Sequence, residues 1–421
     1  MKGSENMTYI EELGAKAKAA EGAIAAASAM EKNAALKAIA DALNENAARI
    51  IEENKKDIAA AEANGISKVM TDRLMLDEKR ISGIADGVCG VIKLDDPIGS
   101  VDYGTVRPTG LKIQKVRVPL GTIGIIFESR PNVTVDAAAL CLKSGNTCIL
   151  RGGKEAYHSN KILCEIMRSA VRSAGLPEDI IQFVDDTTRE VTTQLMKCSK
   201  YLDVLIPRGG AGLIKAVTEN ATVPVIETGV GNCHVFVDES ADPEMAVNIV
   251  DNSKTQRPSV CNAIESLLVH EKCAEKILPM IKARLDEHNV EIRGCEKTRA
   301  ILGECVVPAT EEDYATEFLD YIIAVKVVKD VDEAISHISK YSTKHSECIV
   351  TNSLANAEKF QKRIDAACVY VNSSTRFTDG SEFGFGAEIG ISTQKIHARG
   401  PMGLKELTSV KYLINGNGQI R

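Results

Sequence analysis

Cys261 stands in the stretch Gln256-Arg257-Pro258-Ser259-Val260-Cys261-Asn262, among polar residues and next to a proline-interrupted turn. A buried structural cysteine behaves as a small hydrophobe, so a thiol in these surroundings suits nucleophilic chemistry, in which the thiolate reacts. An ordinary thiol is only about 3% ionised at pH 7, so such a site must also lower its pKa. Lys254 and Arg257 are the nearest cations in the sequence. The stretch by itself leaves open a loop cysteine with no chemical role.

Two glycine-rich turns and one hydroxyl-rich segment carry further chemistry. Arg151-Gly152-Gly153-Lys154 and Arg208-Gly209-Gly210-Ala211-Gly212 each follow an apolar run, where an open parallel sheet offers phosphate sites. Neither is a G-x-G-x-x-G fingerprint or a Walker A loop, and glycine turns without a ligand fit the pattern too. Arg151 and Lys154 stand where a carboxylate would favour NAD, so a 2′-phosphate, and hence NADP, is the easier fit. Asn372-Ser373-Ser374-Thr375-Arg376 offers hydroxyls and a cation to a carboxylate or phosphate, or is a solvated turn.

The elements that would position these groups follow from periodicity. Asp242-Pro243-Glu244 starts a helix that runs to about Lys254, Pro258 forbids its continuation, and 264–269 reads as a buried strand. Cys261 is therefore expected on a loop between a helix end and a strand. Residues 8–89 are rich in Ala, Glu and Lys at helical spacing, and predict a helical N-terminal layer. Segments 101–106 and 111–118 alternate around Pro108-Thr109-Gly110 as a hairpin. Short apolar runs at 123–127, 147–150, 180–184, 201–206 and 223–226 alternate with helices, the pattern of a doubly wound α/β sheet. A second such series occupies 234–237, 264–269, 322–328, 348–351 and 368–371, and 408–414 reads as a last strand able to pair with the hairpin.

Composition narrows the function classes. At 421 residues the chain is long enough for two or three domains. A formal charge of -7 argues against a nucleic-acid partner. The twelve cysteines include no C-x-x-C pair and no Cys/His metal spacing, so reduced thiols and no metal are expected. No apolar run approaches the roughly 18 residues of a membrane span, and residues 1–6 lack a signal-peptide core. A soluble, cytoplasmic protein without membrane contact is expected.

Several of these stretches occur together, in order, across nearly the whole chain. They are Glu128-Ser129-Arg130-Pro131-Asn132-Val133-Thr134, Leu150-Arg151-Gly152-Gly153-Lys154-Glu155-Ala156, Ile206-Pro207-Arg208-Gly209-Gly210, Val225-Ile226-Glu227-Thr228-Gly229-Val230-Gly231-Asn232-Cys233-His234, the Cys261 loop, and Phe383-Gly384-Phe385-Gly386-Ala387-Glu388. The set resembles the gamma-glutamyl phosphate reductase family, within the aldehyde dehydrogenase superfamily.

The resemblance implies an aldehyde dehydrogenase-like α/β fold: a Rossmann-like cofactor domain at 1–232 with 391–407 returning to it, a catalytic domain at 233–390, and an oligomerisation arm from 101–118 and 408–421. It implies NADPH-dependent reduction of L-glutamyl 5-phosphate to L-glutamate 5-semialdehyde, with release of phosphate through a cysteine thioester, in proline biosynthesis. The alternative is an acylating, CoA-dependent aldehyde dehydrogenase; a scaffold protein that kept the fold without turnover is the rival from another class. By position, Cys261 is the nucleophile and Asn132 the amide of the oxyanion hole. Glu227 matches a superfamily glutamate that activates water, a role this reaction has no use for. Lys154 matches the lysine at the adenosine ribose and its phosphate, with Arg151, Gly209 and Gly210 beside the cofactor and Glu317 on the nicotinamide ribose. Tyr157 stands where NAD-using relatives often carry a glutamate, which again favours NADP. For the substrate, Arg376 with Ser373 and Ser374 is expected at the amino-acid end and Arg130 or Arg257 at the phosphate; each arginine could instead form a structural ion pair. A homo-oligomer and association with glutamate 5-kinase are the partners implied.

Overall fold

The computed structural model describes residues 7–66 and 68–421, so the reading of residues 1–6 lies outside the described residues. The chain divides into two units, Met1–Thr228 with Gly384–Gly390 and Met402–Arg421, and Gly229–Phe383 with Ile391–Pro401.

The first unit begins with the expected helices, Tyr9–Ala26, Ala29–Glu45, Ala47–Ala63, Lys68–Leu74 and Glu78–Ile92. The first two start in capping boxes, Thr8 with Glu11 and Ser28 with Glu31, which satisfy amides that the helix leaves open. A parallel sheet follows in the order Ile181–Phe183, Thr147–Arg151, Thr122–Phe127, Val204–Arg208. The strand expected at 223–226 shrinks to a single bridge between Leu205 and Val225. Pro224 has no N–H to donate, and its carbonyl accepts from Leu205 at 2.8 Å before the pairing stops. The hairpin Val101–Val106 and Lys112–Pro119 forms as expected, and Thr408–Asn415 pairs antiparallel with its second strand.

The second unit is built on a seven-stranded, all-parallel sheet in the order Val307–Pro308, Glu291–Gly294, Ile322–Val328, Ile264–His270, Cys233–Val237, Ser346–Val350, Cys368–Val371. Its central strand Ile264–His270 is buried along its whole length. Leu267, Leu268 and Val269 are each fully inaccessible, worth roughly 1.5–3 kcal/mol apiece against exposure. The two strands at one end of the sheet, Glu291–Gly294 and Val307–Pro308, escape the periodicity because they are only four and two residues long.

The unit boundaries differ from those expected. Residues 229–232 and 391–401 belong to the second unit, and the first regains the chain at Gly384–Gly390 and again from Met402. Backbone bonding explains the shift. Gly229 N–H donates to the Ile391 carbonyl at 2.7 Å, and Ile391–Ser392 pairs with Gly400–Pro401, closing this stretch on the second unit. Met402 N–H donates to the Gly390 carbonyl at 2.8 Å and closes the first.

Candidate active site

In the second unit, Asp242 caps the helix Pro243–Thr255 by accepting from Met245 N–H at 2.8 Å, and the helix delivers the chain into the Cys261 loop. Cys261 is half-buried there, as a reduced thiol. The strand Ile264–His270 then carries the chain into the sheet.

The loop is held from several sides. Asn262 donates its amide to the Thr378 carbonyl at 2.9 Å, and its own carbonyl accepts from the Thr375 hydroxyl at 2.7 Å. Arg376 bridges the loop, donating to Gln256 Oε1 at 3.0 Å and to Asn262 Oδ1. Burial and the neighbouring Arg257 push the Arg376 guanidinium below its ordinary pKa. Behind the loop, the buried Cys233 thiol donates to the Cys261 carbonyl at 3.1 Å. Gly231 packs against the same peptide so closely that a Cβ would lie 2.6 Å from Cys261 Cα, so only glycine fits. Gly231 N–H donates to Glu317 Oε1 at 2.7 Å. Burial raises the Glu317 carboxyl above the usual range while that N–H opposes the shift.

Lys254 does not serve the thiol as the sequence suggested. Its ammonium is fully buried against Glu265 Oε2 at 2.6 Å, and the other Glu265 oxygen accepts from Leu319 N–H at 3.1 Å. Burial lowers the pKa of the lysine and raises that of the glutamate, each opposed by its partner. Arg257 is the exposed cation beside the loop. Ser374 is buried and tied to Ser253 at 2.9 Å and to Arg376 N–H at 3.2 Å, which leaves Ser373, half-buried, the more accessible hydroxyl.

In the first unit, the strand Thr122–Phe127 leads through Arg130, which is exposed, to the helix Pro131–Lys143. Asn132, in its first turn, donates to Asp136 Oδ2 at 2.9 Å, and burial raises the Asp136 carboxyl. Beyond the strand Thr147–Arg151, Lys154 is exposed, whereas Arg151 donates to the Thr187 carbonyl at 2.8 Å and to its neighbour Gly152 at 3.1 Å. Tyr157 donates its hydroxyl to Asp185, which Lys161 also meets at 3.0 Å. At the second turn the Glu128 carboxylate accepts Gly210 N–H at 2.9 Å, and a Cβ on Gly209 would lie 2.6 Å from that carboxyl carbon. The turn that opens the helix Ala211–Asn220 thus already receives an anionic oxygen. Glu227 is half-buried at the end of this unit.

Residues 4–300 and 306–413 match the sequence model of the aldehyde dehydrogenase family. The chain belongs to that family. Among its relatives there, the gamma-glutamyl phosphate reductase of Clostridium perfringens is 62% identical over 97% of this chain and 98% of its own, and that of Carboxydothermus hydrogenoformans is 60% identical over 99% and 100%. The crystal structure of gamma-glutamyl phosphate reductase from Thermotoga maritima, 53% identical, covers 98% of this chain and 100% of its own with a TM-score of 0.97. An acetylating aldehyde dehydrogenase from Geobacillus thermoglucosidasius shares the aldehyde dehydrogenase fold at 19% identity and a TM-score of 0.69.

Some residues of this family member's site were missed from sequence. Glu265 stands inside an apolar strand and Lys254 at a helix end, and their pairing across the loop, with both side chains buried, is visible only in the structure. The contacts of the Cys233 thiol with the Cys261 carbonyl and of the Thr378 carbonyl with Asn262 carry no sequence signal, since each joins positions far apart in the chain. Among the described residues no group of three or more His, Cys, Asp or Glu could hold a metal, and no helix is long and apolar enough to cross a membrane.

Proposed function

We propose that this chain reduces L-glutamyl 5-phosphate to L-glutamate 5-semialdehyde with NADPH, releasing phosphate, in proline biosynthesis. The observation that carries the reading is a half-buried thiol on a loop fixed at both ends, in a chain more than half identical along nearly its whole length to proteins named gamma-glutamyl phosphate reductase.

The Cys261 thiolate attacks the acyl carbon, and the oxyanion that forms needs preorganised donors. The Cys261 N–H is one; the resemblance assigns Asn132 as the other, and its amide has a second N–H besides the one given to Asp136. Expulsion of phosphate leaves a thioester on Cys261. NADPH, when bound, supplies the hydride that reduces this thioester to a thiohemiacetal. Collapse of the thiohemiacetal returns the thiolate and frees the aldehyde.

The cofactor assignment fits the chain's own groups. Gly210 N–H already donates to a carboxylate, as it would to a pyrophosphate oxygen, and Lys154 is an exposed cation suited to a 2′-phosphate. Glu317 is assigned the nicotinamide ribose. Arg151, held by two carbonyls, supports the turn more than it faces a ligand. Arg376 with Ser373 is assigned the amino-acid end of the substrate, Ser374 acting through Arg376, and Arg130 or Arg257 the phosphate. Glu227 is assigned proton transfer to and from Cys261 or orientation of the site. The exposed Val101, Tyr103, Val106, Tyr412 and Ile414 of the arm support assembly into a homo-oligomer, and association with glutamate 5-kinase is an expectation to test by co-purification.

The deciding experiment is reduction of NADP by glutamate semialdehyde with and without inorganic phosphate. Strict dependence on phosphate supports the reading. Dependence on CoA instead would establish the acylating alternative, and absence of turnover with either would leave a protein that kept the fold without the reaction.

A further inference from the structure

We propose that Lys254 and Glu265 are positioning residues, whose ion pair closes the Cys261 loop at its base and ties it to the segment carrying Glu317. Lys254 lies in the last turn of the helix that enters the loop, and Glu265 is the second residue of the strand that leaves it. Both side chains are wholly buried and their charged atoms are 2.6 Å apart. A buried pair of this kind is weak evidence for stability, since apolar residues of similar size often serve as well. Its geometry is more informative.

One Glu265 oxygen meets Lys254 and the other accepts Leu319 N–H at 3.1 Å. Leu319 has a φ of 55°, a left-handed conformation that a leucine holds only when its surroundings impose it. Two residues earlier, Glu317 accepts Gly231 N–H, and Gly231 presses on the Cys261 peptide. Contacts therefore run in a closed circuit from Lys254 through Glu265, Leu319, Glu317 and Gly231 to Cys261. An apolar pair would fill the same volume but give Leu319 N–H no acceptor. A nucleophile and a cofactor-binding carboxylate have to keep their registration, and misplacement by about 1 Å can cost roughly a hundredfold in rate. The role of Glu317 rests on the proposed function; the restraint on Cys261 does not.

The test uses the full chain with Lys254→Met/Glu265→Leu, Glu265→Gln and Lys254→Arg. Three quantities are read: the thermal midpoint, the rate and pH profile of Cys261 alkylation by iodoacetamide per folded molecule (corrected with Cys261→Ser), and NADPH Kd by fluorescence. The double variant is expected to fold, to lose about tenfold or more in alkylation rate, and to bind NADPH several-fold more weakly. Glu265→Gln keeps an acceptor for Leu319 and is expected to lose alkylation rate while holding NADPH Kd within about twofold; it decides the matter if the double variant does not fold. Lys254→Arg, which preserves the pairing, is expected to stay within about threefold of the parent in alkylation. Parent alkylation and NADPH binding in a folded double variant overturn the proposal, as does a change confined to the thermal midpoint, or a loss in Lys254→Arg as large as that in the double variant. A protein that never reduces an acyl phosphate refutes the proposed function while leaving the alkylation result able to stand.

Discussion

The loop around Cys261 and the glycine turns around Lys154 and Gly210 are held in opposite ways. The loop is fixed by buried contacts within the protein: the amide of Asn262, the thiol of Cys233, the close approach of Gly231 and the Lys254–Glu265 pair. At the turns, an exposed lysine and a single carboxylate on a backbone N–H are contacts that water or a ligand can replace. The difference suits a nucleophile that must not wander and a cofactor that must enter and leave at every turnover. It also says where substitutions are tolerated.

The largest effect is expected at the thiol. Cys261→Ser removes the proposed nucleophile and keeps the backbone carbonyl that the Cys233 thiol meets, so turnover should fall by at least about a thousandfold. NADPH binding and the thermal midpoint should stay near the parent's. Retention of more than a few per cent of activity would show that another cysteine carries the reaction.

Gly231→Ala probes the same region from behind. The new Cβ would overlap the Cys261 carbonyl, and the contact is backbone, which cannot rotate away as a side-chain end can. Overpacking of this kind costs typically 1–3 kcal/mol, and a displaced Cys261 should lower kcat by about a hundredfold. A variant with parent kcat and parent thermal midpoint would mean that the loop is as adaptable as the glycine turns, and the contrast would be lost.

The sequence made the outline of both regions readable and concealed what holds them. Asp242-Pro243 and Pro258 mark the helix and loop around Cys261 because capping and proline chemistry are local. Sequence distance alone makes Lys254 a cation near the thiol but gives no direction; Glu265, eleven residues on and across the loop, claims it. Arg376, read as a ligand for substrate, is also a brace on Gln256 and Asn262, an arrangement made by residues over a hundred positions away. The return of 391–401 to the second unit depends on a bond between Gly229 and Ile391 that no periodicity records.

Lys154→Ala tests the replaceable side of the comparison. Lys154 is exposed, so its removal leaves no buried group unpaired and should not affect folding. Loss of the proposed charge-assisted contact to the 2′-phosphate should weaken NADPH by about tenfold and NADH by little. Equal losses for the two cofactors would remove this turn from the argument for NADP.

The smallest effect is expected at Glu128. Its carboxylate accepts Gly210 N–H at the start of the helix Ala211–Asn220, where the proposed reading seats a cofactor pyrophosphate. Both anions cannot occupy one N–H, so binding must first displace the carboxylate, and apparent affinity is reduced by the fraction of molecules in which it is seated. Glutamine keeps an acceptor of the same length but holds the N–H more weakly, since hydrogen bonds to an ion are roughly twice as strong as neutral ones. It also removes a negative charge that would repel the incoming phosphates. Glu128→Gln should therefore tighten NADPH by roughly two- to fivefold at low salt, with the gain shrinking as ionic strength rises and screening shortens the reach of the charge. Titration of NADPH into parent and variant at two salt concentrations measures this. Weaker binding in Glu128→Gln would mean that the carboxylate supports the occupied turn instead of holding its place, and that this turn is built as firmly as the loop of Cys261.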